Sequence, residues 1–379
     1  MLEVIKLLWM IIIVASALIS GSIMVFNYTK CNKKIILVFS ISLACISYSY
    51  MPVQADDLYR HYLQMDSYKG LNLIEVIGSG FLFVNNLALY FIGLTGLKGI
   101  LPLVATFITY FLLLDAAVDI AKTFKPNKLQ YSLLILLLLG IVPYTFVVSG
   151  IRFYTSVAIF VYACYREFVK KNSNAWTQLL YTIPIFIHYS LIILFAFKII
   201  LRLTYKNKLY FKIVCLIFIT YDLWKNAIIS VLLSHKPGDF IDKLKMYSQP
   251  FPYDSLWQRL LIIFLFIAYI VTFFIIILNK RTNKEGAKGE IVEGQENSLK
   301  YLSILFFSIS IGNIQSFYLP ERFLIIAVVI LIMYVMEMKI QKNNIICSYY
   351  ILLTAVIGVS YYVQFVRRLT GTFQIFNVF

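Results

Sequence analysis

The side chains best suited to chemistry lie in a few short motifs of an otherwise apolar sequence. In ADDLYRHY, the carboxylates Asp56 and Asp57 precede Arg60 by four and three residues. On a helix this spacing brings side chains to one face. A carboxylate there could act as a general base or bind a sugar, and Arg60 could bind an anion. The alternative is a solvated loop that holds only a local ion pair.

The stretch VVSGIRFYTSVAIF places Arg152 in the middle of an apolar run. A guanidinium is costly inside a bilayer, so we expect Arg152 to lie at the aqueous end of a helical hairpin. Its planar donors suit bidentate recognition of phosphate oxygens. Gly150 would leave backbone amides near the helix start to bind the same anion. The alternative is an arginine that only reaches lipid headgroups.

Three further motifs carry candidate groups. His188 in IPIFIHYSL could shuttle a proton or donate to a sugar or phosphate; a hydrogen-bonded structural histidine is the alternative. Glu321 and Arg322 in YLPERFLII could be a base and a phosphate ligand, or an interfacial anchor. Arg367 and Arg368 follow the last apolar segment, where a bound anionic headgroup or diphosphate would explain them. With only three histidines and no ligand spacing, we predict no metal site and no cofactor.

Composition sets the fold class. Of 379 residues, 61% are hydrophobic and 14% are charged, which is too apolar for a soluble domain of this size. Apolar stretches of membrane-spanning length recur. We therefore predict an all-α polytopic integral membrane protein with about 10–12 transmembrane helices, some short or broken. The net charge of +16 fits cytoplasmic loops and contact with anionic lipid, so no nucleic-acid partner is expected.

The lysine-rich segments indicate how the chain is oriented in the membrane. The positive-inside rule puts these segments in the cytoplasm, which leaves the candidate groups on the outer side. Residues 132–149 are then one span that leads to the outer end of a hairpin. The stretch between Lys171 and Lys198 is too short for two full spans, and we predict two short helices that meet near Pro184–His188.

Residues 1–379 are expected to form a single membrane domain with three notable loops. Residues 51–98 form an outer loop whose segment GFLFVNNLALYFIGL, interrupted by Asn85 and Asn86, is an interfacial or re-entrant helix. Residues 235–259 form a second outer loop. Residues 279–299, rich in Gly, Glu and Lys, form a flexible cytoplasmic loop.

The motifs DDLYRHY, SGIRFYTSVAIF, IFIHYSLIILF and YLPERF, in this order, resemble the Wzy-type polysaccharide polymerases of the EpsG-like group. The resemblance covers about residues 50–340, and it departs from the family at Phe153, where a polar residue is common. It implies a membrane glycosyltransferase of GT-C-like architecture in the bacterial cytoplasmic membrane. Such an enzyme polymerises undecaprenyl-diphosphate-linked oligosaccharide repeat units on the outer face, giving capsule, O-antigen or exopolysaccharide. The implied partners are these lipid-linked oligosaccharides, membrane lipids, and a chain-length regulator and flippase of the same pathway.

On this resemblance, arginines hold the diphosphate and one acid or histidine deprotonates the acceptor hydroxyl. The diphosphate ligands are Arg152 and Arg322, assisted by Arg60 or by Arg367 and Arg368. The candidate bases are Asp57, Asp56, Glu321 and His188, among which the sequence does not choose. Alternatives are a flippase or transporter for lipid-linked glycan, an O-antigen-ligase-like transferase, and a membrane acyltransferase.

Overall fold

The computed structural model describes residues 2–54, 56–79, 82–188, 191–204, 207–225, 262–263, 265–273, 298–314, 316 and 319–337. Their regular structure is helical, and no strand occurs within these ranges. The helices are α1 (Leu2–Phe26), α2 (Lys33–Tyr48), α3 (Asp57–Tyr68), α4 (Leu73–Gly78), α5 (Phe83–Thr95), α6 (Ile100–Phe124), α7 (Lys128–Ile141), α8 (Tyr144–Ser149), α9 (Ile151–Cys164), α10 (Ala175–Ile187), α11 (Ile192–Thr204), α12 (Lys208–Ile219), α13 (Ser298–Gly312) and α14 (Leu319–Glu337). A π-helical turn, Tyr165–Val169, continues α9.

Three of the described helices are long and apolar enough to cross a membrane. They are Leu8–Phe26 of α1, Ile100–Phe124 and Leu319–Glu337. Shorter apolar helices accompany them, including α5, α7, α10 and α13. The predicted all-α class is confirmed for the described residues. The total of about 10–12 spans stays a prediction, since several of the predicted spans lie outside the described residues.

The chain divides into two compact units. The described residues up to Phe195 belong to the first, and those from Ala196 to Val335 belong to the second. In the first unit, α6 is central and packs against α2, α8 and α9, while α1 packs on α2 and α7. In the second unit, α12 packs on α13. The prediction of one membrane domain stays a prediction.

Helices α6 and α9 run parallel, because their contacts advance together along both sequences. The Thr155 hydroxyl donates to the Ala105 carbonyl at 3.4 Å near the start of both helices. Further along, the Tyr165 hydroxyl donates to Asp119 at 2.7 Å, beside an ion pair between Lys170 and Asp119. The lysine-rich end of the pair is therefore opposite the end where α9 begins, roughly 20 Å away along the helix. Which side of a membrane each end faces stays a prediction.

The single span expected over residues 132–149 is wrong in detail. Helix α7 ends at Ile141, and a separate short helix, α8, begins after Pro143. Proline has no amide hydrogen to donate and its ring clashes with the preceding turn, which favours the helix break before Pro143. The Val142 carbonyl at the break accepts a hydrogen bond from the Tyr110 hydroxyl at 2.8 Å.

Helix α5 passes through Asn85 and Asn86, which interrupt the apolar run but not the helix, and its interfacial or re-entrant placement stays a prediction. Both amides are buried, and Asn86 donates to the Ser79 hydroxyl oxygen at 3.1 Å. A satisfied amide has no reason to compete with the helix backbone. With 13 residues, α5 is about 20 Å long, shorter than a full span requires.

The two short helices expected around Pro184–His188 are confirmed. Helix α10 contains Pro184 and ends at Ile187, where His188 adopts an extended backbone conformation. Helix α11 then begins at Ile192. Each of the two helices has 13 residues.

Candidate functional site

Helix α3 carries the first motif and is held in place by its apolar face. Leu58, Met65 and Tyr68 are buried in one hydrophobic cluster with residues of α5, α8 and α9. The cluster includes Ile151, the first residue of α9. Packing of the apolar face therefore brings the polar face of α3 to the start of α9.

The carboxylate of Asp57 meets the guanidinium of Arg152 at this point. Nη2 of Arg152 lies 3.3 Å from Oδ2 and 3.4 Å from Oδ1 of Asp57. Arg60, one turn along α3, approaches Oδ1 at 3.4 Å. Charge-assisted hydrogen bonds usually close to about 2.7–2.9 Å, so Asp57 has several cationic neighbours without a short bond to any of them.

The exposure of these three side chains differs. The side chains of Asp57 and Arg152 are 29% and 24% exposed, whereas that of Arg60 is 71% exposed. The Nε atom of Arg152 is buried and has no hydrogen-bond partner in the part of the chain that the structure describes. The site thus presents a half-buried ion pair with unused donor capacity at the head of a helix.

His61 lies behind Asp57 on the same face of α3. Its side chain is 2% exposed, and Nε2 is 3.4 Å from Oδ2 of Asp57. The contact lacks hydrogen-bond geometry, and both ring nitrogens are without a hydrogen-bond partner among the described residues. The sequence motif contains this residue, but only the i, i+4 spacing from Asp57 could have signalled the contact.

The electrostatics of the cluster follow from this arrangement. Burial alone would raise the pKa of Asp57, but His61, Arg152 and Arg60 outweigh it and hold that pKa well below its ordinary value. Burial lowers the pKa of His61 below 6.5, and the positive charge of Arg152 lowers it further, against the opposing effect of Asp57. At neutral pH, Asp57 is therefore charged and His61 is neutral.

Asp56 has a different environment from Asp57. Its Oδ2 accepts a hydrogen bond from the Tyr50 hydroxyl at 2.7 Å and one from the Val53 amide at 3.2 Å. The residue is buried and precedes the first turn of α3. These contacts fix the chain that leads into α3, so the geometry separates the two neighbouring carboxylates.

His188 is buried at the end of α10, and its ring packs edge-on against Phe153 at 6.4 Å between centroids. Phe153 follows Arg152 on α9 and is itself buried. The aromatic residue at this position thus packs against the candidate histidine His188. The catalytic role predicted for His188 stays a prediction.

The remaining candidates are not brought to this cluster by any described contact. Glu321 and Arg322 lie half-buried in the first turn of α14, in the second unit. Arg367 and Arg368 lie outside the described residues. Within the described ranges, no three His, Cys, Asp or Glu side chains form a group that could bind a metal ion.

The apolar helices and the comparisons define the class of protein. Helices of membrane-spanning length and composition in both units are the features of a multi-pass membrane protein. The sequence model of the EpsG family matches residues 57–378, which is most of the chain, and the protein belongs to this family. No curated protein and no solved structure matches the chain. Membership connects the chain with polymerase-like membrane proteins of polysaccharide synthesis.

Proposed function

We propose that the protein polymerises oligosaccharide repeat units that are linked to undecaprenyl diphosphate, on the outer face of the bacterial cytoplasmic membrane. A hydroxyl of one lipid-linked unit attacks the anomeric carbon of another. The new glycosidic bond forms as the bond to the lipid diphosphate breaks. The diphosphate leaves with the electron pair, and the hydroxyl loses its proton.

The observation that carries the proposal is the meeting of Asp57 and Arg152 at the head of α9. This reaction needs positive charge where the diphosphate develops negative charge, and a proton acceptor near the attacking hydroxyl. The partly exposed guanidinium of Arg152 supplies the positive charge, and Arg60 supplies a second, well exposed guanidinium. The carboxylate of Asp57 supplies the proton acceptor, and it lies within 3.4 Å of both arginines.

The diphosphate also suits the start of α9 itself. The first amides of a helix lack partners inside the helix and carry a partial positive charge. Gly150 precedes the helix, and its position against the Phe146 carbonyl, 3.1 Å from where a Cβ would lie, leaves little room for a side chain. The Gly150 and Phe153 amides already donate to the Phe146 and Gly150 carbonyls, at 2.8 and 3.1 Å. Recognition of phosphate oxygens here therefore rests on the guanidinium of Arg152 and on the partial positive charge of the helix start.

The proposed partners follow from the substrate. They are the two lipid-linked oligosaccharides, the surrounding membrane lipids, and a flippase and chain-length regulator that act before and during polymerisation. Glu321, Arg322, Arg367 and Arg368 stay candidates for further contacts with the diphosphate or glycan. A ligase that transfers finished glycan would use a similar site, and the length of the product distinguishes the two activities.

The test uses a host that makes the matching repeat unit but lacks its polymerase. Wild type, Arg152→Ala and Arg152→Lys are expressed to equal membrane levels, and the length distribution of the surface glycan is read on a gel. The expected result is a ladder for wild type and single units for both variants, because lysine cannot reproduce the guanidinium's paired donors.

Arg166→Lys is the matched control, since Arg166 lies in the π-helical turn at the other end of α9, where its Nε donates to Thr177. It should leave the ladder intact. Full-length chains from Arg152→Ala would contradict the role proposed for Arg152. Single units from wild type, transferred to another acceptor, would favour the ligase.

A further inference from the structure

Among the described residues, His61 is the buried histidine whose ring adjoins the proposed base, and the roles assigned so far do not use it. Buried polar atoms in proteins nearly always have a hydrogen-bond partner. In His61 both ring nitrogens lack one among the described residues, although Nε2 lies 3.4 Å from Asp57. The burial of the imidazole and its 3.4 Å approach to the carboxylate place it where a small movement allows it to share a proton with Asp57.

Asp57 alone is a poor proton acceptor. The positive charges of Arg152 and Arg60, together with the contact to His61, favour its ionised form. A carboxylate stabilised in this way binds a proton weakly. The neutral imidazole of His61 binds a proton more strongly than this carboxylate, yet it is 2% exposed and cannot meet a substrate in this conformation. Asp57 is thus accessible but weakly basic, whereas His61 is more basic but inaccessible.

Resting on the proposed function, we propose that Asp57 and His61 act as one proton acceptor, with Asp57 contacting the substrate and His61 as the positioning residue behind it. The proton leaves the acceptor hydroxyl as its oxygen bonds to the anomeric carbon. It enters the pair at the exposed carboxylate of Asp57 and is shared with the imidazole. The bond from the anomeric carbon to the diphosphate breaks, and its electron pair leaves with the lipid diphosphate.

Arg152 connects this proton transfer with binding of the donor. A diphosphate that engages Arg152 compensates the positive charge now facing both Asp57 and His61. With that charge compensated, the pair gains proton affinity. The acceptor hydroxyl is therefore activated only when a donor is bound, which limits transfer to unintended acceptors. The charged groups that face His61 among the described residues are Asp57 on its own helix and Arg152 on α9, and Gln64 is a neutral neighbour.

The test measures kcat and KM against pH for the full-length protein in proteoliposomes, with a lipid-diphosphate-linked repeat unit as the probe. In wild type, kcat should fall on the acidic side with an apparent pKa above that of an ordinary carboxylate, about 4, because the imidazole belongs to the acceptor and bound diphosphate raises the proton affinity of the pair. His61→Gln should lower kcat roughly 100-fold or more, change KM little, and remove this acidic limb. Asp57→Asn should lower kcat at every pH.

Ser67→Ala, on the exposed face of α3, is the matched control and should keep the wild-type profile. A His61→Gln protein with wild-type kcat and acidic limb overturns the inference while leaving the proposed function intact. Folded wild-type protein that forms no polymer overturns the proposed function itself. If His61→Gln does not fold, the pH profile of the wild-type protein still tests the inference. A fall of kcat confined to pH values below about 4 would exclude His61 from the proton acceptor.

Discussion

The ion pair between Asp57 and Arg152 makes a quantitative prediction about stability. At 3.3 Å and an effective dielectric constant near 20, the direct attraction between two unit charges is about 5 kcal/mol. Desolvation and the loose geometry offset most of it. Hydrogen bonds to charged groups contribute about 1.5–3 kcal/mol when well formed, and exposed pairs about 0–1 kcal/mol. For two side chains that are each about one quarter exposed, we expect a coupling of about 1–2 kcal/mol.

A double-mutant cycle with Asp57→Asn and Arg152→Gln measures this coupling through the Tm of the purified protein in detergent. A coupling of 1.5 kcal/mol corresponds to roughly 3–6 °C of non-additivity for a cooperative unit of about 200 residues. Asp57→Asn should be the more harmful single change, because it leaves Arg152 half-buried without its carboxylate, whereas Arg152→Gln leaves Arg60 beside Asp57.

The matched control is the pair Asp66 and Lys69 on the same helix. Its atoms are closer, at 2.9 Å, but both side chains are well exposed. The control cycle should therefore show no resolvable coupling. Strict additivity in the Asp57 and Arg152 cycle would refute the reasoning, because it would mean that burial does not strengthen this pair.

Three further predictions concern acid stability, packing and orientation. Because the pKa of His61 is lowered on folding, its stabilising contribution is present above pH 6.5 and is lost as pH falls; Tm should decline on acidification, less steeply in His61→Gln. Gly99→Ala should cost about 1–3 kcal/mol and lower Tm, because a Cβ would overlap the backbone carbonyl at the end of α2, whereas Gly78→Ala meets open space and should leave Tm unchanged. In a cysteine-free background, Arg60→Cys should react with an impermeant thiol reagent from outside whole cells and Lys125→Cys only from inside, and the reverse result would invert the topology.

Local sequence accounted well for the elements with short-range causes. The spacing in DDLYRH predicted a helix with Asp57 and Arg60 on one face, and α3 begins at Asp57 with these side chains 3.4 Å apart. The short apolar stretch around Pro184 predicted two short helices, and α10 and α11 have that form. In both cases neighbouring residues determine the backbone.

The features of the site that the sequence did not predict depend on contacts between residues that are distant in the chain. Arg152 pairs with a carboxylate 95 positions earlier in the chain, a contact that arises because α3 packs on the start of α9. Asp56 resembles Asp57 in sequence, but the Tyr50 hydroxyl and a backbone amide occupy it. Pro143 by itself indicates a helix break, but the long apolar run on both sides of it favours a single span.

The most direct test of the central claim is a product balance for purified protein in proteoliposomes. A lipid-diphosphate-linked repeat unit is supplied without nucleotide or nucleotide sugar, and both glycan length and free lipid diphosphate are measured. The account predicts chains of increasing length, with one lipid diphosphate released for each unit added, and loss of both products in Arg152→Lys. Repeat units that cross the bilayer without lengthening, or that lengthen without releasing lipid diphosphate, would contradict it.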